Sequence, residues 1–241
     1  MIIEEKGILV AAKKFQEKSY IIKCFYESTG IVHGLFKPNK KYMQEPPIGS
    51  TVNAIWKGRL EEHLGMFTFE IISNPIPAIS MHKLNIMALH SALNLIVKAL
   101  AEKEPQPKLF LHLEHLIDYL ATSQSIHDII IEYLKFELFG LLATCGFGLD
   151  LSKCVVSGTL ENLVYISPKS AAAVSEDIGK PYHDKLFRLP AFLADSNALI
   201  TLADISECFK MSGYFLEKNL FQPLQKNLPI ARNLLFDHLV K

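Results

Sequence analysis

Cysteine is scarce, with four widely separated residues in 241, which is too few and too dispersed for a disulfide framework. No apolar run reaches ~18 residues without a charge, so no membrane-spanning helix is expected. The opening residues, Met1-Ile-Ile-Glu-Glu-Lys6, lack the basic stretch and apolar core of a secretion signal. The expectation is a reduced, cytoplasmic protein. Catalytic signatures are missing too: there is no nucleophile elbow, P-loop, glycine-rich dinucleotide turn after a strand, or HExxH zinc helix. Net charge is zero at neutral pH, which by itself gives no general attraction to phosphate.

What the chain does have is core-forming material. Apolar residues make up 49% and charged residues 21%, the balance of a globular protein long enough for one large domain or two small ones. The zero net charge hides an asymmetry. Residues 6–41 carry eight lysines against Glu17 and Glu27, whereas residues 81–150 carry five basic and eight acidic side chains. A basic first third followed by an acidic middle suits a chain that touches phosphate with one part and protein with another. The plainer reading is that these lysines solvate strand edges and loops.

Hydrophobic periodicity divides the chain. Ile8–Val10, Tyr20–Phe25, Ile31–Phe36, Val52–Trp56 and Phe67–Ile72 are short, β-branched or aromatic runs separated by turn residues such as Ser28-Thr-Gly30 and Glu45-Pro-Pro-Ile-Gly49. Five strands in so few residues predict a small barrel of the OB type. Pro75-Ile-Pro77 reads as a linker. Beyond it, with Ser80 as a candidate N-cap, apolar residues recur at helical spacing through Ala101. Further helices are predicted over Leu109–Leu120, Ile126–Cys145, Leu202–Phe221 and Leu228–Val240. A hairpin remnant is predicted from Leu163–Ile166 and Ala172–Ser175. The fold class is therefore α+β, with an N-terminal OB-fold barrel at 1–78 and a mainly helical domain at 79–241. The helical domain carries a knuckle-like insertion at about 146–190.

That insertion, Gly146-Phe-Gly-Leu-Asp-Leu-Ser-Lys-Cys154, has the look of a zinc knuckle without its metal. In Cys154-Val-Val-Ser157 a serine stands where a second thiolate would be needed, and no second pair follows. No metal is expected, and Cys145 and Cys154 read as small buried apolar side chains. The histidines are scattered, and His112/His115 read as a half-exposed helix face. Glu61-Glu62 read as a solvated turn, so no enzyme is expected. Binding is what remains. Lys13, Lys14, Lys18, Lys37, Lys40, Lys41, Lys57 and Arg59 are interleaved with Phe15, Tyr20, Phe36, Tyr42 and Trp56, the combination used to hold backbone phosphates and stack bases. Tyr42 and Phe36 are the candidate stacking residues. Trp56 alternates with Val52 and Ala54 and is expected to face inward.

Ordered stretches along nearly the whole chain carry a family resemblance. They are Gly7-Ile-Leu-Val10 with Glu17 and Gly30, then Gly49 and Trp56 with Arg59-Leu-Glu-Glu-His-Leu-Gly65 and Glu70. Phe136-Glu-Leu138 and Gly146–Cys154 follow, then Tyr165-Ile-Ser-Pro-Lys-Ser170 with Ala173-Val-Ser175, Leu189-Pro-Ala-Phe192, and Arg232. Together they resemble the RecO family of bacterial recombination mediators, in the form found in alphaproteobacteria. The resemblance implies an OB-fold domain joined to a helical domain, binding of single- and double-stranded DNA, and annealing of complementary strands. It also implies capture of the acidic C-terminal tail of the single-strand-binding protein SSB, and help to RecR in loading RecA, with no cofactor. On this reading DNA meets Lys13, Lys14, Lys37, Lys40, Lys41, Tyr42, Lys57 and Arg59, and the SSB tail meets Lys135, Leu138 and Leu142. Only Lys135 is basic where some members have an adjacent basic pair, so that contact is expected to be weaker. Two alternatives stay open: an adaptor that binds SSB or RecR with little DNA affinity of its own, and an RNA-binding OB protein.

Overall fold

The computed structural model describes residues 1–38, 45–59, 64–195, 198 and 200–239. They form two compact units, Met1–Gln124 with Pro229–Ala231, and Ser125–Leu228 with Arg232–Lys241. The expected boundary at 78/79 falls inside the first unit, which keeps the helices up to Gln124 together with the barrel.

Five strands build that barrel: β1 (Ile2–Gln16), β2 (Ser19–Tyr26), β3 (Gly30–Phe36), β4 (Thr51–Lys57) and β5 (Gly65–Ser73). They close in the order β1-β2-β3-β5-β4, with β4 returning to β1. All pairings are antiparallel except the short β3–β5 contact. Each strand alternates. Leu9, Ile22, Cys24, Tyr26, Val32, Val52, Ala54, Trp56 and Phe67 fill the interior, while their neighbours in sequence point outward, as a two-residue period requires. One cross-strand row runs Lys13, Ile21, Leu35, Met66, Lys57 and then Ile2. It thus returns to β1 well before its starting point, and this stagger tilts the strands and allows closure. Trp56 is 1% exposed and its indole N–H donates to the His33 carbonyl at 3.1 Å, so the inward position expected for it holds. Gly58 and Gly65 lie against the ring, where a Cβ would come within 2.4 and 2.2 Å of it.

β1 is far longer than its apolar run suggested. Beyond the irregularity between Leu9 and Ala11, it continues through Ala11-Ala-Lys-Lys-Phe-Gln16 as an exposed arm paired with β2. Pro75 begins a short helix, α1 (Ile76–Ile79), instead of a linker. Ser80 closes that turn, and α2 (Lys83–Ala99) starts after His82. α2 packs on β1, where the outward-pointing Ile8 is fully buried. α3 (Pro107–Thr122) places Phe110 edge-on to the outward Phe25 at 5.6 Å. Asn85 of α2 donates to the Leu120 and Ser123 carbonyls at the end of α3, supplying partners that a helix terminus otherwise lacks.

In the second unit, α4 (Ile126–Lys135) runs into a π-helical turn over Phe136–Leu142. The expected hairpin is a three-stranded sheet, β7-β6-β8, of β6 (Leu163–Ile166), β7 (Ala173–Ser175) and β8 (Phe187–Arg188). Two short turns, α5 (Glu176–Gly179) and α6 (Ala191–Ala194), flank β8 in sequence. α7 (Leu202–Leu216) opens with a capping box. Thr201 Oγ1 accepts from the Asp204 N–H at 3.1 Å and Asp204 returns the bond to the Thr201 N–H, an arrangement worth about 1 kcal/mol. α7 passes into a second π turn at Glu217–Phe221, and α8 (Ile230–Leu239) ends the described chain.

Candidate nucleic-acid interface

The exposed arm of β1 and β2 is where the sequence-predicted cations collect. Lys13 and Lys14 are exposed on it, Lys18 sits at its turn, and Phe15 beside them is 52% exposed. Lys13 also begins the outward row that crosses Ile21, Leu35 and Met66 and reaches Lys57. A lysine stands at each end of the row, and the middle is apolar, with Met66 43% exposed. Lys37 follows the end of β3 and Arg59 the end of β4, both exposed. Lys40, Lys41 and Tyr42 lie outside the described residues. Phe36 does not fit a stacking role. It faces inward on β3, 8% exposed, and stacks on Phe69 at 4.6 Å. Alternation on the strand sends it into the barrel with Val32.

On the same outer wall, Lys23 of β2 and His33 of β3 are direct cross-strand partners. Both hold one carboxylate: Lys23 Nζ donates to Glu102 Oε1 at 2.9 Å, and His33 Nδ1 lies 2.5 Å from Glu102 Oε2. Glu102 belongs to the segment after α2, which is anchored to β3 by the Lys103 N–H donating to the Ile31 carbonyl at 2.9 Å. Desolvation pushes the Glu102 carboxyl up. The hydrogen bond and charge of Lys23, joined by those of His33, outweigh it and hold the carboxyl below its usual range.

In the helical unit the three residues assigned to an acidic peptide part company. Lys135, at the end of α4, is partly exposed and paired with Glu132 at 2.7 Å. Leu138 and Leu142 are fully buried. A peptide has no access to them, and their part is to hold the π turn in the core. The same turn carries Glu137, a buried carboxylate clasped by Arg232. In the knuckle region, the Cys154 sulfur meets the Ser157 N–H at 3.5 Å and the Ser175 hydroxyl at 3.4 Å. Serine hydroxyls are poor zinc ligands, so the donor set around this sulfur does not fit a structural zinc. Burial pushes the thiol up, but the hydrogen bonds of Ser157 and Ser175 prevail and bring it down to about 6. Cys145 is partly exposed, not buried as expected.

Comparison with known proteins decides the family. The family model described as Recombination protein O C terminal matches residues 84–228. The DNA repair protein RecO of Rickettsia peacockii is 36% identical over 224 residues, covering 92% of each chain. Those of Rickettsia conorii and Rickettsia bellii are 35% and 36% identical, covering 92% of this chain and 92% and 90% of theirs. The chain belongs to the RecO family. It is thus a member of a DNA repair family built here on a five-stranded barrel and a helical unit.

Within this RecO barrel, Lys23, His33 and Glu102 form a cluster that the sequence does not announce. Glu102 lies 79 residues from Lys23 and 69 from His33, and nothing in local spacing joins them. The usable signal was alternation: Ile21 and Lys23 share a face of β2, and so do His33 and Leu35 on β3. Arg232, picked out only through the RecO resemblance, proves to be the partner of Glu137 in the core.

Proposed function

We propose that this chain is a recombination mediator that binds single- and double-stranded DNA through the outer wall of its barrel and anneals complementary strands. It further engages the acidic C-terminal tail of SSB and assists RecR in loading RecA. The observation that carries the DNA contact is the exposed row from Lys13 to Lys57, extended by Lys14 on the arm and by Lys37 and Arg59 at the strand ends. Such cations bind backbone by releasing counterions and carry no sequence information. The apolar middle of the row gives bases a surface to lie on, in the manner of single-strand binders. Lys40, Lys41 and Tyr42 are assigned to the same interface from the sequence. Lys135 is the residue proposed to meet a carboxylate of the SSB tail. No chemical step is proposed and no cofactor is called for.

The test is annealing of two complementary oligonucleotides coated with the cognate SSB, with and without this protein. Acceleration supports the mediator reading. Absence of acceleration, with SSB still bound, would leave the adaptor reading in its place. One observation favours that second reading: Lys23 and His33 of the barrel wall already face a carboxylate. A flat, weak dependence of oligonucleotide binding on salt would decide for it.

A further inference from the structure

We propose that Lys23 and His33 form a phosphate subsite on the outer wall of the barrel, and that the Glu102 carboxylate occupies it until a nucleic-acid phosphate takes its place. The inference rests on the reading of this wall as the nucleic-acid surface. Lys23 and His33 are paired across β2 and β3, so both side chains leave the barrel on the same side at one level. Lys13 lies diagonally across from Lys23, because it pairs with Ile21 two residues earlier. Diagonal neighbours on adjacent strands are about 7–8 Å apart. The subsite therefore continues the cationic row that begins at Lys13.

An anion is already seated there. Glu102 offers Oε1 to Lys23 and Oε2 to His33, which is how two non-bridging oxygens of a phosphodiester would be received, at the same charge. Its side chain remains about one-third exposed, so the pair is open to competition from solvent. Only the side chain has to move. The backbone of the segment stays attached through the Lys103–Ile31 hydrogen bond and the parallel bridge between Ile31 and Glu102. Gly30 makes this close approach possible, since a Cβ there would come within 2.2 Å of the Glu104 carbonyl oxygen. The strap thus holds a removable counterion beside the proposed DNA path. The wall of the barrel is less cationic at rest than its side chains allow.

The experiment is binding of a fluorescent oligothymidylate to the full chain over a series of salt concentrations. It compares wild type, E102Q, E102Q with K23A, and E104Q. Because the phosphate reaches Lys23 in wild type as well, E102Q should gain affinity by losing the competing carboxylate, and removal of Lys23 should flatten the slope of log affinity against log salt by about 0.7. E102Q should accordingly bind several-fold tighter at low salt. Adding K23A should remove most of that gain. E104Q, which deletes the same charge two residues away, should behave as wild type. The subsite falls if E102Q matches wild type in affinity, or if E104Q gains as much. Loss of binding in K13A/K14A/K57A, with E102Q unchanged, would keep the barrel reading and discard the subsite alone. If no variant binds at all, both fall.

Discussion

Arg232 grips Glu137 with two parallel hydrogen bonds, Nε to Oε1 at 2.7 Å and Nη2 to Oε2 at 2.9 Å, inside the helical unit. The Tyr133 hydroxyl donates to Oε1 at 2.6 Å and the Ser212 hydroxyl to Oε2 at 2.7 Å, while Arg232 Nη2 also reaches the Phe209 carbonyl. The carboxylate is thereby satisfied on both oxygens, as a buried charge must be. Gly213 leaves room for the guanidinium, since a Cβ there would lie 2.9 Å from Arg232 Nη1.

Removing one side of this pair should therefore be costly. R232A leaves Glu137 buried without its cation, and a loss of about 3–5 kcal/mol is expected. The double variant R232M/E137L, which leaves no buried charge, should lose less than R232A. Urea denaturation followed by circular dichroism measures both. A loss under about 1 kcal/mol for R232A would contradict the buried-pair account.

The Glu102 carboxyl should titrate below its ordinary value of 4.5. Replacing Lys23 with alanine should move the midpoint up, which carbon-detected NMR of the glutamate side chains reads directly. Because the folded value is the lower one, the stability linked to this group is fully present above the ordinary carboxylate value. It is lost as pH falls through the folded value. The pair is solvent-accessible, so the effect on stability should stay below about 1 kcal/mol. A midpoint in K23A equal to that of wild type would show that Lys23 does not hold the carboxylate in solution.

Alanine at Lys13, Lys14 and Lys57 together should weaken oligonucleotide binding equally across unrelated sequences. It should also flatten the salt dependence by about 0.7 per lost contact on single strands. Unchanged binding would remove these residues from the interface. A loss confined to particular sequences would mean base readout rather than backbone contact.

Cys154 should ionise near pH 6, with Ser157 and Ser175 as the cause, whereas burial pushes Cys24 and Cys208 far up. S175A should raise the Cys154 midpoint, followed by thiolate ultraviolet absorbance with C154A as the blank. With the folded value depressed, the associated stability grows as pH rises from about 6 and is complete above the ordinary thiol value of 9. A midpoint that S175A leaves in place would rule out the hydroxyl as the stabilising donor.

The chain alone determined the barrel strands and the longer helices, because each is a local pattern. Val52, Ala54 and Trp56 alternate with Asn53, Ile55 and Lys57, and one face of the helix from Leu109 to Leu120 repeats at helical spacing, so periodicity reports which side is buried. It failed where burial is not one-sided or where length depends on pairing. Leu138 and Leu142 were assigned to the SSB tail through the RecO resemblance, yet the π turn that carries them is enclosed. The polar half of β1 is a strand only because β2 lies beside it. Tertiary structure decided every long-range partnership: Glu102 with Lys23 and His33, and Arg232 with Glu137. Charges attract according to distance in space, and the separation of these residues along the chain carries no record of that distance.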